Sequence, residues 1–188
     1  NGKEVQNLSV KERKAMGLGY IPSDRHKDAM VPDFSITENF LLGYQEDPKY
    51  CKKGFIDYKA LEEDAKVQVE QFEIKIAGVS QHIGQLSGGN QQKVVVGREL
   101  SIPLKLLIAA QPTRGVDIAS AASIQSKIMD AAEHGTGVLL ISSDLDELIH
   151  TSDRIMVMSR GKIVDILEAK NATKERLGQL MLGVSQET

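Results

Sequence analysis

Short apolar runs alternate with amphipathic helical patterns along the second half of the chain. Runs that predict buried strands lie at residues 104–110, 138–142 and 155–158. In the third of these, Met156 and Met158 are interpreted as packing residues. Arg160 and Gly161 predict a hairpin turn into a further strand at 162–167. Buried strands that alternate with helices are typical of an α/β domain with a mainly parallel sheet.

The first half of the chain carries the signals of several helix starts. Ser9 with Glu12 and Ser35 with Glu38 match the capping-box pattern. Asp57 is a candidate N-cap for a helix of about 15 residues. These signals predict that much of the first half is helical.

The chain is predicted to divide into two regions. We expect an α/β core formed by residues 1–32 and 101–188, and a helical subdomain formed by residues 33–100. Within the first part of the core, residues 17–22 predict a short strand. The polar, proline-bearing segment 23–34 that follows is predicted as loop.

Residues 86–90, with the sequence LSGGN, form a candidate anion-binding loop. Gly88 and Gly89 have no side chain to exclude a phosphate, and Ser87 offers a hydroxyl. A helix predicted to begin near Asn90 would add unpaired N–H groups and the positive end of its dipole. An ordinary serine–glycine loop that caps a helix would contain the same residues. Taken alone, the five residues leave both interpretations open.

Composition narrows the class of protein. The chain of 188 residues is 41% hydrophobic and 26% charged, with a formal net charge of −3. An acidic chain argues against nucleic acid as the main partner. No apolar run approaches the length of about 20 residues that spans a bilayer, so we expect a soluble cytoplasmic protein. One cysteine and four scattered histidines predict neither an internal disulfide nor a metal site.

Four sequence motifs follow one another in an order that carries a family resemblance. They are LSGGNQQK at residues 86–93, AQPTRGVD at 110–117, LLISSDLDEL at 139–148 and DRIMVMSRGKIV at 153–164. In this order they resemble the signature motif, the Walker B and D-loop segment, the switch-histidine loop and the segment after it in the ATP-binding cassette family of transport ATPases. The resemblance covers nearly the whole chain.

The closer resemblance is to the second of two cassettes in the fused ATP-binding subunits of importers for simple sugars and nucleosides. It implies a P-loop NTPase-like α/β fold with a helical subdomain that bears the signature. For the intact transporter it implies ATP and Mg²⁺ as cofactors. It also implies two partners, the first cassette of the same protein and transmembrane permease subunits, and a place on the cytoplasmic face of the plasma membrane.

The phosphate-binding loop of that family, with the pattern GxxxxGK[ST], is not found in the sequence. Residues 1–3 resemble the turn that follows this loop in the family, which implies a chain truncated before it. We expect such a fragment to bind neither ATP nor Mg²⁺ appreciably by itself. In the family sheet the 138–142 strand lies beside the strand of the missing loop, so we also expect self-association through that edge.

Four positions depart from the family pattern at the chain's own nucleotide site. Ala110 and Gln111 replace the Asp that orients Mg²⁺ and the Glu that polarises the attacking water. Ser143 replaces the switch histidine, and Ser23 replaces the glutamine of the Q-loop. A methyl group cannot engage a metal-bound water, and a neutral amide cannot accept its proton. Without the resemblance, Gln111 and Ser143 would be ordinary surface residues at strand ends.

The signature segment is intact, and in this family two cassettes pair head to tail so that each signature completes the site of the other. The resemblance implies that the γ-phosphate of ATP held by the first cassette faces Ser87, Gly88, Gly89 and Asn90. It also implies that Asp117 contacts the partner across the dyad. We therefore expect one working ATPase site that borrows this signature, and one degenerate site.

Two alternatives to an energy-coupling subunit stay open. The chain could be a non-catalytic structural or regulatory module for dimerisation and permease docking, or a soluble cassette protein that acts on ribosomes or DNA, which the acidic charge disfavours. The apolar residues of the helical subdomain could form a docking surface or its core; they are Phe34, Phe40, Leu41 and Leu42. Arg114 could contact phosphate or be a solvated loop residue.

Overall fold

A computed structural model describes residues 4–183 of the chain. It consists of two compact units, Asn1–Leu139 and Leu140–Thr188. Residues 1–3, which the sequence assigns to a turn, lie outside the described residues.

The first unit contains the elements on which the candidate loop is mounted. Its helices are α1 (Val10–Ala15), α2 (Arg25–Asp28), α3 (Ile36–Leu41), α4 (Tyr58–Gln71), α5 (Gly88–Leu100) and α6 (Ile118–Glu133). Its strands are β1 (Leu18–Ile21), β2 (Cys51–Lys52), β3 (Phe55–Ile56), β4 (Leu106–Ala110) and β5 (Gly137–Ile141), of which β5 crosses the boundary between the units. Both predicted capping boxes are present, at the starts of α1 and α3.

Strands β1, β4 and β5 form one sheet in the order β1-β4-β5. β1 and β4 run parallel, with Leu18 opposite Leu106 and Ile21 opposite Ala109. The predicted α/β class with a parallel sheet is therefore confirmed. Because the strands are parallel, the segments that follow β1 and β4 both leave the sheet on the side of the strands' carboxyl ends.

Strand β5 differs from the buried strand that the sequence predicts. Leu139 is 42% exposed and Ile141 is 49% exposed. Leu139 and Ile141 alternate with less exposed residues, so they lie on one face of the sheet and that face is exposed. In the sheet order, β5 is the last strand. An apolar strand at a sheet edge recruits partners, so this is the feature that the expected self-association requires; the association itself stays a prediction.

The predicted loop at residues 23–34 contains one helical turn, α2. The carboxylate of Asp24 accepts hydrogen bonds from the backbone N–H groups of His26 (3.1 Å) and Lys27 (3.2 Å). An aspartate that caps two N–H groups is enough to close a single turn in a polar segment. The polar composition of residues 23–34 therefore predicted a loop where the chain forms a short helix.

Helix α5 begins at Gly88, two residues before the predicted start near Asn90, and Ser87 is its N-cap. Both glycines of the LSGGN loop are therefore in the first helical turn. The helix is buried along most of its length, and Val94, Val95 and Val96 are at most 1% exposed.

The last turn of α5 carries a buried ion pair. The guanidinium of Arg98 donates to the carbonyl oxygens of Ala29 (2.7 Å) and Asn39 (3.1 Å), and to the carboxylate of Glu99 (3.1 Å). Glu99 also accepts the backbone N–H of Tyr20 at 3.3 Å. The pair therefore joins α5 to α3, to β1 and to the residue that ends α2.

The second unit is a hairpin covered by two helices. Its elements are α7 (Leu145–Thr151), β6 (Arg154–Ser159), β7 (Lys162–Glu168) and α8 (Lys174–Met181). β6 and β7 pair antiparallel, as predicted, and Ile155 and Val157 face a core shared with Leu177 of α8. Met156 and Met158 lie on the opposite face and are 44% and 57% exposed, so their interpretation as packing residues was wrong.

We expect Glu99→Ala to lower the free energy of unfolding by about 3 to 5 kcal/mol, because Arg98 would remain buried without its carboxylate. Glu99→Gln should cost less, since it keeps the acceptor for Tyr20. Urea denaturation followed by circular dichroism measures both. Glu63→Ala on the exposed face of α4 is the control, with an expected change within about 0.5 kcal/mol. Equal small losses for Glu99→Ala and the control would contradict the role of the pair.

Candidate functional site

The LSGGN loop presents one side chain and the first turn of α5 to solvent. Ser87 has extended backbone angles, φ −61° and ψ 153°, and its hydroxyl caps the helix. Ser87 is exposed and Gly88 is half-buried, whereas Gly89 is buried. The N–H groups of the first turn have no acceptor within a helix. A negatively charged group that approaches the loop would therefore meet Ser87 and the N-terminus of α5 first.

The two glycines lie close to their neighbours within this chain. A Cβ atom on Gly89 would overlap Ser120 Oγ and lie 2.9 Å from the carboxylate of Asp117. A Cβ atom on Gly88 would lie 2.8 Å from the guanidinium of Arg25 and 3.1 Å from the carbonyl oxygen of Gly115. Both distances are below normal van der Waals contact, so the loop packs directly against the 110–117 segment and the start of α6.

Asp117 is engaged within the chain. It is the N-cap of α6, and its carboxylate accepts the backbone N–H of Ser120 at 2.9 Å and the hydroxyl of Ser120 at 2.7 Å. These two hydrogen bonds lower the pKa of Asp117. The charged carboxylate therefore caps α6 and lies beside Gly89; the contact with a partner across a dyad stays a prediction.

Two of the substituted positions lie at the end of β4. Ala110 is the last residue of the strand, and Gln111 follows it with a left-handed backbone, φ 51°. Ser23 follows β1, so it leaves the sheet at the same edge as Gln111. The carboxyl edge of a parallel sheet is where α/β proteins bind ligands. The structure therefore brings these sequence-predicted positions to the expected edge.

Ser143 belongs to the second unit. It follows β5 and precedes Asp144, the N-cap of α7, whose carboxylate accepts the N–H groups of Asp146 (2.9 Å) and Glu147 (3.2 Å). The side chain of Ser143 is exposed.

A cavity of about 330 Å³ lies beside the LSGGN loop. Four of its lining residues carry hydrogen-bond donors that can bind an anion: Lys75, Ser87, Asn90 and Lys93. The carboxylates of Glu73 and Asp117 also line the cavity. The ammonium group of Lys93 donates to the carbonyl oxygen of Glu73 at 3.2 Å. The cavity therefore offers hydroxyl, amide and ammonium donors next to Ser87.

Arg25 is a site residue that the sequence analysis missed. Its guanidinium donates to the carbonyl oxygen of Arg114 (3.0 Å) and to the side-chain oxygen of Gln91 (3.4 Å). Gln91 in turn donates to the carbonyl oxygens of Ile83 (3.3 Å) and Leu86 (3.1 Å). Arg25 therefore connects the 110–117 segment to the residues that precede Ser87.

A sequence signal for Arg25 did exist. Gln91 is a polar residue within an apolar helix, and it is only 5% exposed. A buried amide requires hydrogen-bond partners, which predicts a polar side chain packed against α5. The guanidinium of Arg25 also contacts the backbone carbonyl of Arg114, and the side chain of Arg114 is exposed.

Metal and membrane features are not seen in the described part of the chain. Among residues 4–183, no group of three or more His, Cys, Asp or Glu side chains could hold a metal ion. In the same residues, the helices are too short or too polar to cross a membrane.

Known proteins resemble the chain along its whole length. It is 37% identical over 187 residues to the guanosine import ATP-binding protein NupO of Bacillus subtilis, covering 100% of this chain and 37% of that protein. It is 37% identical to the nucleoside import ATP-binding protein NupA of Lactococcus lactis over 97% of this chain and 36% of that protein. It is also 38% identical to a ribose import ATP-binding protein RbsA of Lactococcus lactis, over 97% of this chain and 37% of that protein. The chain thus spans little more than a third of the length of these relatives.

Among solved structures, a dimeric post-hydrolysis state of the ATP-binding cassette MJ0796 bound to ADP and Pi is similar. The TM-score is 0.73 at 19% identity, over 90% of this chain and 71% of that chain. At this level of identity the similarity shows the fold. No protein-family model matches the chain.

We expect Gly89→Ala to lower the free energy of unfolding by about 1 to 3 kcal/mol, because the new methyl group overlaps Ser120. Ser120→Gly removes the side-chain atoms that the methyl group meets. The double variant should therefore lose less than the sum of the two single losses in thermal denaturation. Gly178→Ala in α8, where a Cβ meets nothing within 4 Å, should be neutral or stabilising. Additive losses at Gly89 and Ser120 would contradict the packing described above.

Proposed function

We propose that this chain is an ATP-binding cassette and belongs to the energy-coupling subunit of an importer for simple sugars or nucleosides. In this proposal its signature loop completes an ATP site whose phosphate-binding loop belongs to another cassette. The import of guanosine, nucleosides and ribose in the names of its relatives supports the cargo class. One observation carries the role of the loop: Ser87 is exposed on the N-terminus of a buried helix, next to a cavity with anion-binding donors.

The residues at the end of β4 do not fit Mg²⁺ and a catalytic base. Ala110 offers a methyl group where a carboxylate oxygen would be needed, and Gln111 offers an amide. An amide can position water but cannot accept its proton at neutral pH. We therefore propose that the chain's own site is degenerate, that ATP and Mg²⁺ serve the partner's site, and that the chain binds neither appreciably by itself.

Permease subunits and the first cassette of the same protein are the proposed partners, at the cytoplasmic face of the plasma membrane. The helical subdomain offers less docking surface than its apolar composition suggests. Phe40 and Leu41 are 6% and 8% exposed and belong to its core. Phe34 is 42% exposed, so it is the candidate for permease contact in this group.

Ser87→Arg should abolish ATP hydrolysis by the assembled transporter, because a long cationic side chain would occupy the place of the phosphate at the start of α5. The matched control is Ser9→Arg, which changes an exposed N-cap serine of α1 in the same way and should preserve hydrolysis. The measurement is the rate of phosphate release by the transporter in membranes. Unchanged hydrolysis in Ser87→Arg would refute the proposed role of the loop.

A structural or regulatory module is the second candidate function, favoured by the residues at the end of β4. Nucleotide binding by the intact protein separates the two candidates. Retention of ATP at the degenerate site would support the first candidate, a cassette whose bound nucleotide stabilises the dimer. Absence of binding at that site at millimolar ATP would favour dimerisation and permease docking alone.

A further inference from the structure

The hydroxyl of Ser87 is an acceptor for its own helix. Its oxygen receives the side-chain amide N–H of Asn90 at 3.0 Å and is 3.5 Å from the backbone nitrogen of Asn90. Among the described residues, no acceptor takes the hydroxyl's hydrogen. A hydroxyl that accepts from one neighbour retains one donor. Ser87 can therefore donate its hydrogen to a group that approaches from solvent.

The orientation of the Asn90 amide is determined by a second contact. The backbone N–H of Lys75 donates to the side-chain oxygen of Asn90 at 3.0 Å. A backbone N–H can only donate, so the atom that faces Lys75 must be the carbonyl oxygen of the amide. The NH₂ group must then face Ser87, and an NH₂ group can only donate. The hydroxyl of Ser87 is therefore held as an acceptor towards Asn90.

Two other serines in the same chain show what happens when the third helical residue is a glutamate. Ser9 and Ser35 have N-cap angles close to those of Ser87, with φ −64° and −62° and ψ 163°. Their hydroxyls donate to the carboxylates of Glu12 (2.6 Å) and Glu38 (2.7 Å). These hydrogen bonds lower the pKa of both glutamates. In a complete capping box the serine hydrogen is thus directed into the helix.

Asn90 occupies in α5 the position that Glu12 and Glu38 occupy in α1 and α3. The substitution of an amide for a carboxylate changes the direction of the hydrogen bond between the cap and the third residue. When the third residue is glutamate, the serine hydroxyl donates its hydrogen to the carboxylate. When it is Asn90, the hydroxyl accepts from the amide, and its hydrogen is left to point away from the helix. The difference lies at the one N-cap serine of these three that belongs to the LSGGN loop.

We propose that Asn90 is a positioning residue, which keeps the hydroxyl hydrogen of Ser87 directed outward for an anionic phosphate oxygen. This inference rests on the proposed function, in which that oxygen belongs to a nucleotide held by another cassette. It changes the role first expected for Asn90, since one N–H of its amide donates to Ser87 and its carbonyl oxygen accepts from Lys75. Asn90 acts on the phosphate through Ser87 and does not need to touch it.

The proposal separates stability from activity. Asn90→Glu would complete a third capping box, so the thermal stability of the protein should be equal to or higher than that of the wild type. The same substitution should turn the Ser87 hydroxyl inward and lower the rate of ATP hydrolysis. A residue with a merely structural role would lower both together.

A double-mutant cycle in the assembled transporter tests the proposal. Ser87→Ala and Asn90→Glu should each reduce the rate of ATP hydrolysis by about 10- to 100-fold, the value of one hydrogen bond to a charged group. The combined variant should be no slower than Ser87→Ala, because Asn90 acts only through the hydroxyl. Repulsion between the added carboxylate and the phosphate would persist without the hydroxyl, so the cycle distinguishes repulsion from misorientation.

Each outcome of the cycle has a defined meaning. A combined variant that is slower than Ser87→Ala by the full factor of Asn90→Glu would overturn the positioning role. So would wild-type hydrolysis in Asn90→Glu when Ser87→Ala is slow. Wild-type hydrolysis in Ser87→Ala itself would instead refute the proposed function of the loop, and the inference with it.

Discussion

The buried guanidinium of Arg98 is the contact on which the geometry of the candidate site depends. It is bonded to two carbonyl oxygens and to Glu99, and a charge in that position is tolerated only while these partners are in place. The interaction fixes the last turn of α5 relative to its neighbours. Because α5 has 13 residues and is about 20 Å long, a fixed C-terminal end together with a buried body sets where its N-terminus points. The LSGGN loop lies at that N-terminus.

Contacts at the loop itself complete the arrangement from three directions. Asp117 and Ser120 of α6 lie against Gly89, Arg25 lies against Gly88, and Lys75 holds Asn90. The three contacts therefore join the loop to three separate segments of the chain. A rigid presentation costs little conformational entropy when a ligand binds, which suits a loop that donates a few hydrogen bonds to a site formed elsewhere.

Local signals in the sequence predicted much of the fold, and the failures have identifiable causes. Ser35 with Glu38 and Asp57 mark helix starts because their side chains cap N–H groups within three residues, which is information that the local sequence contains. The exposure of Leu139 could not be judged in this way, since it depends on whether another element covers its face of the sheet. The sequence also identified the serine and the two glycines of the loop as candidate anion-binding residues. Arg25 was not, because its partner Arg114 is 89 residues away along the chain, and the direction of the Ser87 hydrogen required the contact of Asn90 with Lys75.

In the proposed function, this chain presents its LSGGN loop to a nucleotide that another cassette holds. A cryo-EM structure of the assembled transporter, trapped with a non-hydrolysable ATP analogue, tests it most directly. We expect a γ-phosphate oxygen within hydrogen-bond distance of Ser87 Oγ, with the phosphate-binding loop around that nucleotide supplied by the partner cassette. A closed assembly in which the nucleotide is bound without any contact to residues 86–90 of this chain would contradict it.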